Sequence, residues 1–116
     1  MSLFHYDEEG GNYSAEIDGV QFVCEEPTPE REEAAPLLAR AYREKLPQLA
    51  AFMMDDIAEV FGEQSQDALI QALGAPQIDL DTEVITYLDH TLDDIHIIDV
   101  EYGGMLDEFY GVSIDG

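Results

Sequence analysis

Apolar and polar positions alternate with a period of two at both ends of the chain and with a period of three to four in the middle. The alternation is clearest from Glu83 to Gly116. Val84, Thr86 and Leu88 interleave with Ile85, Tyr87 and Asp89, and because both sets are largely apolar this strand is expected inside a sheet. Asp94 to Tyr102 sets His96, Ile98, Val100 and Tyr102 on one face and Ile95, Ile97, Asp99 and Glu101 on the other. The second face turns from apolar to acidic halfway, which places the end of its cover near Asp99. Gly103 and Gly104 supply a reversal, and Tyr110, Val112 and Ile114 return opposite Gly111, Ser113 and Asp115. The result is a hairpin with one apolar face and one wet face.

The N-terminal alternation reads as a meander. Leu3 to Tyr6 and Tyr13 to Ile17 flank a turn at Glu8 to Asn12, and Asp18-Gly19 is the two-residue signal of a type I′ hairpin into Val20 to Cys24. Thr28 and Pro29 then suit the N-cap and first position of a helix. Leu38, Tyr42, Leu46, Leu49, Phe52/Met53, Ile57 and Val60 form one helical stripe. Each proline in it removes a backbone donor, so Pro36 predicts a start or kink, Pro47 a bend or break, and Gly62 a stop. Ser65 can cap a further helix with the stripe Leu69, Ile70, Ala72 and Leu73, ended by Gly74 and Pro76. Strands, helices, strands in that order predict α+β. The expected architecture is a single domain over residues 1–116. It has an antiparallel sheet of about five or six strands, from the N-terminal meander and the C-terminal hairpin, and about three helices across one face.

Charge changes the picture from fold to function. The chain holds 27 acids against 4 bases, for a formal net charge of -23. The bases, Arg31, Arg40, Arg43 and Lys45, fall within fifteen consecutive residues, and from Leu46 to Gly116 there are sixteen Asp or Glu and no Lys or Arg. Such a surface projects negative potential, which argues against nucleic acid and anionic membrane as partners and for a basic protein. Cys24 is the single cysteine, so no intramolecular disulfide forms. Met1 to Asp7 shows no basic residue followed by an apolar core, and no apolar run approaches a membrane span, which together predict a cytoplasmic location.

Candidate chemistry is sparse. His90, Asp93, Asp94 and His96 combine imidazole with carboxylate, but their spacing matches no ligand motif, and an Asp-rich loop accounts for them. Asp79, Asp81 and Glu83 resemble the start of a calcium loop whose required sixth-position glycine is Val84 here. Asp55, Asp56 and Glu59 lack the Glu-x-x-His partner of a di-metal bundle. Cys24 with His5 as base would make a nucleophile, yet Cys24 falls on the apolar face of its strand. No metal, cofactor or catalytic residue is expected.

The segments Leu73-Gly74-Ala75-Pro76-Gln77-Ile78, Tyr87-Leu88-Asp89-His90 and His96-Ile97-Ile98-Asp99-Val100-Glu101 resemble small acidic bacterial proteins of unknown function, some of whose neighbouring families are toxin-immunity proteins. The resemblance covers the C-terminal part of the chain and rests on apolar-acidic patterning. It implies an α+β fold and a protein-binding role, and it carries over no functional residue.

Three functional readings follow. The first is an immunity- or inhibitor-like protein whose acidic face engages a basic partner through Asp99, Glu101, Asp107 and Glu108, with Tyr102 and Tyr110 as amphipathic anchors. The tyrosines have a competing role as core residues, since each shares a face with Val100 or Val112. The second reading is adaptation to high salt, in which the acids have no specific target. The third is a small enzyme or metal binder using His90, His96 and nearby Asp residues. The first is preferred.

Overall fold

The structure, a computed structural model, describes residues 3–116. Seven strands form one sheet in chain order: β1 (His5–Asp7), β2 (Asn12–Ile17), β3 (Val20–Cys24), β4 (Gln77–Asp79), β5 (Val84–Tyr87), β6 (Ile97–Gly103) and β7 (Glu108–Asp115). Two helices, α1 (Pro29–Phe61) and α2 (Gln66–Leu73), connect β3 to β4. The Asp18-Gly19 turn has positive φ at both residues, 52° and 82°, as a type I′ hairpin requires.

The fold is α+β, but three expectations about its layout are corrected. The first is the strand count, seven among the described residues rather than five or six, because the three-residue β4 pairs between β3 and β5 and joins both ends of the chain into one sheet. The sheet is mixed, because β3 and β4 pair in parallel while every other neighbouring pair is antiparallel. The physical reason is the connection: passing through two helices returns the chain to the sheet in the direction it left, which a hairpin cannot do. Among the described residues there are also two helices rather than about three. Pro36 and Pro47 both lie within α1, which runs without interruption from its Thr28 cap to Gly62. An interior proline costs a helix about 3 kcal/mol. Beyond Pro47, Leu49, Met53 and Ile57 are buried against the sheet, and burial of such side chains contributes about 1.5–3 kcal/mol each, so packing outweighs the lost donor. The Pro47 carbonyl also accepts a bond from Gln66 Nε2 at 2.9 Å, tying α1 to the start of α2.

The core lies between the helices and one face of the sheet. Ala15, Val20, Phe22, Ile78, Ile85, Tyr87, Ile98, Val100 and Tyr102 meet Leu38, Tyr42, Leu49, Met53, Ile57, Leu69 and Leu73. Period-two alternation therefore sends the other residues of every strand to the opposite face, which neither α1 nor α2 covers. Among the described residues, no helix is long and apolar enough to cross a membrane.

Candidate functional site

The pairing registers assemble the uncovered face row by row. One row runs Glu16, Gln21, Gln77, Thr86, Asp99, Ser113, and the next runs Ser14, Val23, Asp79, Val84, Glu101, Gly111. A trough of about 320 Å³ lies on this face over β4 to β7, lined by Asp79, Thr86, Asp99, Glu101, Ser113 and Asp115 among others. Four carboxylates thus share one trough with hydroxyl and amide side chains and, among the described residues, no cation. All four Lys and Arg residues belong to α1, on the far side of the sheet. Three of them are in ion pairs: Arg31 with Asp81 at 2.5 Å, Arg43 with Asp18 at 3.7 Å and Lys45 with Asp107 at 4.0 Å.

Local bonds fix the trough side chains. Thr86 Oγ1 donates to Asp99 Oδ1 at 2.6 Å across the β5–β6 pair. Asp79 Oδ1 accepts the backbone N–H groups of Asp81 and Thr82, closing the turn into β5. The acids are thereby aimed by the sheet and its turns rather than held by neighbouring cations. At one end of the trough Leu88, Ile95 and Ile97 are exposed, and at the other end stands Tyr110.

The six residues predicted as a partner surface divide among four environments. Asp99 and Glu101 lie in the trough. Glu108 and Tyr110 stand beside it at the start of β7, with the Tyr110 hydroxyl donating to Glu108 Oε2 at 2.5 Å; that bond to a carboxylate raises the phenol above its ordinary pKa. Tyr102 is in the core, 4% exposed, and burial raises its phenol as well. Asp107 belongs to the turn, where its carboxylate accepts the Met105 N–H and faces Lys45 of α1. The tyrosines part company at a bulge between Glu101 and Tyr102, after which Tyr102 pairs with Phe109 instead of Tyr110. Phe109 takes the core position, its ring 5.7 Å from Phe52, and the Tyr110 ring lies over Gly103, where any Cβ would collide with it. Period-two counting does not register a bulge, so the sequence left the two tyrosines equivalent.

Asp79, Thr86, Ser113 and Asp115 complete the trough without having been singled out as partner residues. The alternation placed Asp79, Ser113 and Asp115 on wet faces but put Thr86 on a largely apolar one with Val84 and Leu88; what it could not supply was the register that brings four strands side by side.

His90 and His96 form a different structure. His90 is buried, its Nε2–H donates to the His96 carbonyl at 2.6 Å, and its Nδ1 accepts the Leu92 N–H at 3.2 Å, an assignment that makes the ring neutral. Asp93 Oδ1 accepts the N–H groups of Ile95 and His96, and Oδ2 meets His96 Nδ1 at 2.5 Å. Phe61 packs edge-on against both imidazoles. Both nitrogens of His90 are therefore spent on loop structure. Among the described residues, no group of three or more His, Cys, Asp or Glu is arranged to hold a metal ion. Cys24 is 1% exposed, and burial raises its thiol pKa against the opposing effect of Arg31. Neither family models, nor curated proteins, nor solved structures give a match to this chain.

Proposed function

We propose that the protein is an immunity- or inhibitor-like binding protein of a reducing, cytoplasmic setting, whose uncovered sheet face engages a basic protein partner. The observation that carries this reading is the segregation of charge: the trough holds Asp79, Asp99, Glu101 and Asp115, and every Lys and Arg lies on α1. Like charges fixed along one trough raise the local concentration of an opposite partner and speed its association. Charge alone gives rate and salt dependence rather than a long-lived complex. Tyr110 at one end of the face, and Leu88, Ile95 and Ile97 at the other, offer the apolar contact that lengthens residence.

The test compares two sets of substitutions against a basic protein recovered from the native cell extract at low salt. Asp79→Asn with Asp99→Asn and Glu101→Gln should slow association at least about tenfold, and the deficit should shrink as salt is raised. Exposed acids of α1 changed in equal number, Glu33→Gln, Glu44→Gln and Asp55→Asn, should have a much smaller effect. Equal slowing by both sets would assign the effect to net charge and remove the case for a specific face.

A further inference from the structure

We propose that the outer edge of β7 is a strand-addition site for an extended partner segment in which basic and apolar residues alternate. This rests on the reading of the open face as a surface for a basic partner, and it specifies that partner's conformation and pattern.

The two edges of the sheet are unequal. β1 is three residues long, which by itself blunts an edge, whereas β7 runs for eight and contains neither proline nor lysine, the residues that commonly guard one. The direction of its free hydrogen-bonding groups follows from β6. Tyr102 N–H donates to the Glu83 carbonyl at 3.0 Å, so the backbone groups of Tyr102, Val100 and Ile98 point toward β5 and those of Asp99 and Glu101 point toward β7. Ser113 and Gly111, which pair with Asp99 and Glu101, face inward, leaving the N–H and C=O of Val112 and Ile114 directed out of the sheet, where no described strand meets them.

The two flanks of this edge differ in chemistry. On the open side stand Glu108 and Asp115 of β7, with Asp99 and Glu101 one strand further in. On the helix side Phe109, Val112 and Ile114 are only partly buried, and Phe52 of α1 is 38% exposed beside Phe109. An added strand would send alternate side chains to these two flanks, so its complement is a cation at one position and an apolar residue at the next. A second copy of the chain is a poor occupant: it would bring another β7, with its own acids, and a further net charge of -23. The acids thus exclude self-pairing while admitting a basic strand.

The experiment is amide hydrogen exchange, read residue by residue at low salt, on the full chain with a capped synthetic peptide of alternating lysine and valine. In the free protein the Val112 and Ile114 amides should exchange rapidly, and saturation with peptide should slow them at least about tenfold. The same peptide N-methylated on alternate residues, which removes main-chain donors but keeps the charge, should not slow them. If the peptide perturbs Asp99 and Glu101 while Val112 and Ile114 exchange as before, the edge proposal is overturned and the open-face reading stands. Absence of any binding overturns both. Protection without peptide that grows with protein concentration would show a second copy on the edge and overturn the proposal as well.

Discussion

Beneath α1 the hydroxyls of Tyr42 and Tyr87 meet at 2.6 Å in a buried hydrogen bond, each being the other's partner. Removing one therefore costs more than removing both. Tyr87→Phe should destabilise the fold by about 1–3 kcal/mol, because the Tyr42 hydroxyl is left buried without a partner, and adding Tyr42→Phe should recover part of that loss in a urea-unfolding cycle. A cycle in which the two losses simply add would show that the hydroxyls do not depend on each other. Burial also pushes Tyr42 up to about 12 and Tyr87 well above the ordinary tyrosine value. A raised phenol pKa favours the neutral form in the fold, so this contribution is complete below pH 10 and is lost as pH rises through 10 toward 12 and beyond. The double Phe variant should lose less stability over that alkaline range than the parent does. The sign reverses at Asp93, whose carboxyl is held at about 2, chiefly by the His96 backbone N–H, with the His96 ring and the Ile95 N–H adding to it. Its support of the 90–96 loop is present above the ordinary value of 3.8 and disappears as pH falls toward 2, so a carboxyl NMR titration of Asp93 should show a midpoint near 2. A midpoint near 3.8 would mean that the Asp93 turn is not formed in solution.

At the scale of elements, α1 poses the sharpest question, because a helix that runs through Pro47 bears a cost its packing must offset. Pro47→Ala restores a donor within continuous helix, worth about 3 kcal/mol, against roughly 0.4–1 kcal/mol lost because the unfolded chain becomes freer. A net gain of about 2 kcal/mol in chemical denaturation is expected. No gain, or a loss, would indicate that the helix is broken at that point as the prolines alone suggest. The same residues show what could be read in advance. Thr28, Ser65, Gly62 and Gly74 marked the helix ends because caps act locally, and the Asp18-Gly19 hairpin was legible for the same reason. The continuity of α1 was not legible, since it depends on the sheet that Leu49, Met53 and Ile57 pack against. Nor was the parallel β3–β4 pair, which joins residues more than fifty positions apart. At the candidate site, Asp99 and Glu101 were identifiable as a wet strand face, while Tyr102 and Tyr110 were interchangeable until the bulge separated them.

For the molecule as a whole, charge and fold act against each other. A net charge of -23 on 116 residues repels itself, and the repulsion is screened over about 30 Å at 0.01 M salt but only about 8 Å at 0.15 M, so stability should rise across that range. The chain should nevertheless be folded below about 50 mM salt, where screening is weak. Unfolding on dilution from molar salt, followed by circular dichroism, would favour high-salt adaptation over a functional acidic face. The central claim is narrower than acidity, because it places a basic partner on the sheet face opposite the helices. The most direct test is a map of backbone amide NMR shifts during titration with the recovered basic partner at low salt. Shifts that saturate and concentrate on Asp79, Thr86, Asp99, Glu101 and Ser113 are the predicted result. Shifts concentrated on exposed α1 residues such as Glu33, Glu44 and Asp55, with the trough unchanged, would contradict it.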